Sequence, residues 1–173
     1  MLWLFTDAAR LPDPRAAVAR LPRGLCGVVL RHDMAPDRRQ LGEDLARLCR
    51  ARRLLLCVAG DAALAARLGA GLHLRDGRRP PGPRCARAVT SSAHGPADLR
   101  RAARAGAALA FLSPVWPTAS HPGSAALGLL RWRILAQRAA IPVCALGGVE
   151  GLRVAALRGT AVCAGAGAIG ALA

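Results

Sequence analysis

The sequence predicts an α/β protein, a compact (β/α)8 TIM barrel in one domain over residues 1–173, with its last helix short or missing. Strand-like and helix-like segments alternate about eight times along the chain. The strand-like segments are short apolar runs without polar alternation, the pattern of parallel strands covered on their outer face. Polar residues recur at the end of nearly every strand, where a barrel gathers residues distant in sequence at one mouth. That recurrence favours the barrel over a doubly wound open sheet. At 173 residues the chain is short for a fold that typically takes about 250, and few residues follow the eighth strand. The side left uncovered there is one that a second copy would bury, so a homo-oligomer is expected.

In chain order, Leu2 to Phe5 reads as the first strand, and Pro14 to Leu21 as a short helix behind an Asp13 cap. Gly27 to Leu30 is the second strand, ending in Arg31-His32-Asp33, and Pro36 to Arg52 is an arginine-rich amphipathic helix. Leu54 to Ala59 is the third strand, Asp61 caps a helix over Ala62 to Leu68, and Gly71 to Leu74 is the fourth strand. The link from Gly77 to Pro83 is too rich in proline for a helix, which leaves only a turn around Arg84 to Ala86. Arg87 to Ser91 is the fifth strand, followed by a helix over Pro96 to Ala105 with Leu99 and Ala103 facing inward. Leu109 to Leu112 is the sixth strand, stopped by Ser113-Pro114. Leu127 to Ala139 is a helix with Leu127, Leu130, Ile134 and Leu135 as its apolar face, and Pro142 to Leu146 is the seventh strand. Gly151 to Leu157 is the last helix expected, and Thr160 to Cys163 the eighth strand.

Composition narrows the function. No apolar run reaches the roughly 20 residues needed to cross a bilayer, and MLWLFTDAAR lacks the basic start and cleavage site of a signal peptide. The cytoplasm is the expected compartment, with no membrane partner. The net charge of +15 raises nucleic acid as a partner, but all 25 basic residues are arginine, and Lys, Asn and Tyr are absent together, a pattern of coding bias. The arginines are dispersed through helices and only 3% of residues are aromatic, so a base-stacking platform is poorly supplied. Without lysine, Schiff-base chemistry is excluded. The six cysteines show neither a C-x-x-C pair nor zinc-like spacing and read as small buried apolar residues.

The segment from Ala107 to Val149 carries the most chemistry. Its loop, Pro114 to Gly123, concentrates Trp116, Thr118, Ser120 and His121 between prolines, more than an inert connector needs. Gly147-Gly148 follows the seventh strand and Ala164-Gly165 the eighth, where this architecture often binds phosphate through backbone N–H groups. The glycines read equally well as tight-turn residues. Arg31, Ser92, His94, Asp61 and Asp76 are further strand-end candidates, and a guanidinium at Arg31 can grip phosphate with two hydrogen bonds.

These residues resemble the family of thiamine-phosphate synthase and its relative the thiazole tautomerase. The resemblance rests on LWLFTD, GVVLRHD, DAALAARLGAGLHL, SSAHGPADLRRAARAGAALAFLSPVWPTASHPGSAALGL and IPVCALGGV, and runs almost end to end. It implies a transferase of thiamine biosynthesis that joins an aminopyrimidine diphosphate to a thiazole phosphate with Mg2+ and releases pyrophosphate. By match, Thr118, Ser120 and His121 lie in the loop that meets the diphosphate or the thiazole. Ser92 sits near the same anions, and Gly147, Gly148, Ala164 and Gly165 hold the thiazole phosphate.

The pattern departs from the synthase at the diphosphate side. The strand-two motif Gln-x-Arg-x-Lys appears as Val29, Leu30, Arg31, His32 and Asp33, keeping only the arginine, and His121 stands where lysine is usual. The Asn-Asp pair after strand three appears as Val58-Ala59-Gly60 before Asp61, so Asp61 and Asp76 are left as the metal candidates. Two alternatives follow. A thiazole tautomerase-like isomerase needs a general base but no metal; its usual histidine position is Pro114 here, which leaves His121, His94 or His32. A regulatory protein that binds thiazole phosphate without turnover is the other.

Overall fold

The computed structural model describes residues 1–84, 87–118, 125–157 and 162–169. Eight parallel strands close into a barrel in sequence order: β1 (Leu2–Phe5), β2 (Cys26–Leu30), β3 (Leu55–Ala59), β4 (Gly71–Leu74), β5 (Val89–Ala93), β6 (Leu109–Leu112), β7 (Val143–Leu146) and β8 (Cys163–Ala168). Pairing of Leu2 with Ala166 and of Leu4 with Ala168 closes the ring. Six described helices pack outside: α1 (Arg15–Arg20), α2 (Arg38–Arg52), α3 (Ala62–Leu68), α4 (Pro96–Arg104), α5 (Gly128–Gln137) and α6 (Leu152–Leu157). Among the described residues no helix connects β4 to β5. The turn expected at Arg84 to Ala86 falls partly outside them, as does any chain after β8 from 170 on.

Side chains alternate between two apolar layers, as a strand's period of two requires. Outward residues such as Leu4, Val28, Val58 and Leu72 meet Val18, Leu41, Leu45 and Leu68 of the first three helices. Leu112, Val143 and Ala145 meet Leu99, Trp132 and Ala136 on the other side. Inward residues form a third cluster built on Trp3, Phe5 and Phe111, with Val29, Cys57, Ala59 and Cys144 around them. Cys26, Cys49, Cys57 and Cys144 are buried, in keeping with an apolar role; Cys85 lies outside the described residues.

Three local readings are corrected. In α4 the inward residues are Leu99 and Ala102, not Ala103. In α5, Leu130 is 74% exposed and Ile134 40%, whereas Trp132 is fully buried and donates through Nε1 to the Leu112 carbonyl at 3.2 Å. The indole shifted the buried face because its area and its single donor are both satisfied against β6. The third correction is at β8, which begins at Cys163 instead of ending there. Its run of alanine and glycine carries no β-branched signal of a strand interior.

Replacing Trp132 with alanine is expected to lower stability by about 3–5 kcal/mol, read from the urea midpoint. Leu130→Ser should leave it within about 0.5 kcal/mol.

Candidate functional site

The inward positions of each strand continue past its carboxyl end. Counting by twos from Val29 reaches Arg31, from His73 reaches Arg75, from Ser92 reaches His94, and from Phe111 reaches Ser113. All of these line one cavity of about 250 Å³ at the barrel mouth, together with Asp33 and Asp76. Phe5, His73, Ala59 and Leu146 also line it.

His73 is the buried polar residue of the cavity wall. It stands edge-on to Phe5 at 5.6 Å between ring centres, and its Nδ1 lies 2.9 Å from Thr90 Oγ1. Burial pushes its pKa down to about 3, and the guanidinium charges of Arg31 and Arg75 add to that shift. The imidazole is therefore neutral at physiological pH.

The charged residues of the mouth are unequally matched. Asp33 lies between two guanidiniums, with Arg38 Nη2 3.1 Å from one oxygen and Arg75 Nη2 against the other. Arg38 also donates to the Ala59 carbonyl at 2.7 Å and to Asp61 Oδ2 at 3.2 Å. The half-buried Arg31 guanidinium has no ion-pair or hydrogen-bond partner among the described residues; its backbone N–H donates to Thr6 Oγ1 at 2.9 Å.

Asp76 is held by Ser92, whose hydroxyl donates to Asp76 Oδ1 at 3.0 Å and accepts from the Asp76 N–H at 2.9 Å. Ser92 thus reaches the cavity, but its hydroxyl fixes a carboxylate. His94 Nδ1 lies 2.9 Å from the Ser113 carbonyl, which can only accept, so Nδ1 carries the proton. Nε2 is then the basic nitrogen, 3.6 Å from Asp76 Oδ1. Asp98, not His94, closes the start of α4, accepting from the His94 N–H at 2.8 Å. His32 is buried, with Nδ1 on Thr6 Oγ1 and Nε2 on the Pro12 carbonyl, which makes it a brace between loops.

The chain after β6 folds against the end of β7. Val115 N–H donates to the Leu146 carbonyl at 3.0 Å and Trp116 N–H to Gly147 at 3.1 Å, while Leu127 and Gly128 N–H groups return to Pro114 and Val115. Gly147 and Gly148 have φ of +87° and +66°. A Cβ at Gly147 would come within 2.8 Å of Pro114, and one at Gly148 within 2.8 Å of Trp116 Cβ. Both glycines are therefore needed for close approach of the loop. Trp116 packs partly buried, with the Arg153 guanidinium 5.9 Å from its ring centre. Thr118 is half-buried in this loop; Ser120 and His121 lie outside the described residues.

Ala164 and Gly165 are placed elsewhere than expected. They lie within β8 at its amino-terminal end, where the Met1 amino group donates to the Ala164 carbonyl at 3.3 Å and Gly165 leaves room for the Met1 carbonyl. The carboxyl end of β8, beside Gly147-Gly148, is instead Ala168-Ile169.

The donor set does not suit Mg2+. All ten carboxylates of the chain are among the described residues, and no three His, Cys, Asp or Glu side chains gather there as a metal-binding group. Asp61 spends Oδ1 on the Leu64 N–H at 2.9 Å, capping α3, and Oδ2 on Arg38. Asp76 lines the cavity without Asp61. The expected Asp61/Asp76 pair therefore fails, because one member is committed to a helix cap and a guanidinium. Arg75 carries more of the site than the sequence reading gave it, and Asp33, a strand-end residue there, anchors it. Period-two counting from the buried strands was the signal that would have found them.

The profile described as thiamine monophosphate synthase matches residues 4–171. A thiamine-phosphate synthase of Thioalkalivibrio sulfidiphilus is 31% identical over 159 residues, covering 85% of this chain and 74% of that protein. The thiamine phosphate pyrophosphorylase structure from Pyrococcus furiosus superposes with a TM-score of 0.80 at 23% identity, covering 97% of this chain and 84% of the other. The native KDPGal structure shares the fold at a TM-score of 0.64 and 16% identity.

Two outcomes are expected from this geometry. The folded pKa of His73 lies below its ordinary value of 6.5, so the unfolded chain takes up a proton first as pH falls. Stability should drop between pH 6.5 and about 3, with a His73 contribution approaching 1.4 kcal/mol per pH unit. A series of urea titrations should find that part of the slope gone in His73→Gln. Gly148→Ala should lower the melting temperature by several degrees, because the left-handed φ and the Trp116 contact both oppose a Cβ.

Proposed function

Because the chain belongs to the thiamine monophosphate synthase family, we propose that it is a transferase that joins an aminopyrimidine diphosphate to a thiazole phosphate at the barrel mouth. The observation that carries this reading is Arg31, a half-buried guanidinium at the cavity with no partner among the described residues. Such a group stands where an anionic ligand would complete it. The bond from the pyrimidine methylene carbon to the diphosphate oxygen breaks, its electron pair leaving with pyrophosphate. The thiazole nitrogen then donates its lone pair to that carbon. The chain's own part is to hold both anions and stabilise the departing charge.

In this reading Arg31 grips the diphosphate, and Thr118, Ser120 and His121 serve the diphosphate or the thiazole, the roles that the resemblance implies. Backbone N–H groups at Gly147-Gly148 receive the thiazole phosphate, with Ala168-Ile169 taking the place that Ala164 and Gly165 were expected to fill. For the Mg2+ ion expected from the resemblance, Asp76 is the one cavity carboxylate not clasped by arginine, so the offsetting of diphosphate charge falls to guanidinium groups. No described helix is long and apolar enough to cross a membrane, and small phosphorylated heterocycles are the partners the site supports.

A second reading, isomerisation of the thiazole phosphate in the manner of a tautomerase, is favoured by one feature. His94 Nε2 faces the cavity beside Asp76 with its tautomer fixed by the Ser113 carbonyl, the arrangement of a general base.

Purified protein supplied with both substrates should form thiamine phosphate, with Arg31→Ala lowering kcat/KM by about 10²-fold or more and His121→Ala also lowering it. Absence of product from the unaltered protein sinks the synthase reading. Isomerised thiazole that disappears in His94→Gln would then support the second.

A further inference from the structure

We infer that this cavity binds the diphosphate group through guanidinium groups without a divalent cation, with Arg31 as its principal ligand and Arg75 as the fixed wall beside it. The inference rests on the synthase reading of the site but concerns only how the anion is held. A hard dication needs oxygen ligands, above all carboxylates. Of the ten acidic residues, Asp33 and Asp76 line the cavity. Asp33 has a guanidinium on each oxygen, and Asp76 is tied to the Ser92 hydroxyl. A metal would have to displace an arginine from Asp33 or rest on Asp76 alone.

The positive side is built. Arg75 lies across Gly60, where an added Cβ would come within 3.0 Å of Arg75 Nε and 3.2 Å of Cζ; the glycine's φ of +66° carries the chain beneath the side chain. The same guanidinium is anchored through Nη2 on Asp33, which Arg38 holds in turn. One carboxylate therefore stands between two guanidiniums, and a third guanidinium, Arg31, has none. Arg31 and Arg75 both act on His73, so their charges converge over the same space. A dication there finds one carboxylate, Asp76, not tied to arginine, whereas a diphosphate offers the paired oxygens that guanidinium forks match.

The test is calorimetric titration of the full chain with inorganic pyrophosphate, in EDTA and again in Mg2+, at about 0.15 M salt so that diffuse attraction to a basic protein is screened. The dissociation constant in EDTA should lie within about threefold of that in Mg2+. Arg31→Ala should weaken binding at least about tenfold and Arg31→Lys less, since lysine keeps the charge but loses the fork. Arg20→Ala, at an exposed position of α1, should leave it unchanged. Binding that appears only with Mg2+, no binding in either buffer, or equal losses in Arg31→Ala and Arg20→Ala would each overturn the inference. Failure of thiamine phosphate formation with binding in EDTA retained would reject the synthase reading and leave this one standing. Turnover with metal-dependent binding would do the reverse.

Discussion

The barrel closes because three aromatic rings on two strands are given room by glycines on two others. Trp3 and Phe5 of β1 and Phe111 of β6 fill the interior, with Phe111 edge-on to Trp3 at 5.3 Å and to Phe5 at 4.8 Å. Gly27 lies directly under the Trp3 ring, and a Cβ at Gly167 would come within 2.9 Å of Phe5. Any side chain at Gly27 would collide with the indole, so β1 and β2 can pair in this register only with glycine there. At β8 the same need for space accounts for a strand written almost wholly in alanine and glycine. Aromatic bulk on one side of the ring and its absence on the other make an interior packed at ordinary density.

That plug fixes the depth of the site. His73 rests on Phe5 and Phe111, so the cavity begins where the apolar layer stops. Above it the period of two delivers arginine, histidine and serine to the mouth, and the strand ends hold them in place. The rim is then tied by short connections: the loop after β6 pairs with the end of β7, and α5 starts from that loop. Gly147 and Gly148 have a steric reason to be glycine that does not depend on any ligand. In the proposed function, phosphate binding by their amides would be an additional use of the geometry that close packing already demands.

Much of the fold was legible in the sequence because a parallel strand buried on both faces leaves an unmistakable apolar run. The same property hid the inward face: with apolar residues on both sides, Trp3 and Leu4 look alike, and only the polar continuation at Arg31, Arg75 and His94 marks which parity points inward. The face of α5 was misread because Leu130 and Ile134 fit helical spacing as well as Trp132 and Ala136 do, and only the contact with the Leu112 carbonyl decides between them. Ala164 and Gly165 were placed past the strand because small residues resemble a turn when the bulk that requires them lies far away in sequence. Asp61 shows the converse: its role as a helix cap was read directly from its position, and that role is what removes it from metal binding.

The charge pattern of the mouth follows from the residues available to it. A chain without lysine must build every cationic contact from guanidinium groups, which are planar, directional and able to bridge two acceptors at once. Arg38 does this between Asp33 and Asp61, linking the ends of β2 and β3. Arg75 then brings the end of β4 to the same carboxylate. The acidic residues of this quarter of the rim are consumed in organising Arg38 and Arg75, and Arg31, left over, faces the cavity. An unmatched guanidinium over a neutral, deeply buried imidazole is the consequence: burial keeps His73 uncharged, and the guanidiniums beside it reinforce that state. The mouth therefore presents one unmatched guanidinium above Phe5 and a neutral imidazole, the polarity that the proposed ligand, anionic at one end and a flat heterocycle at the other, would need.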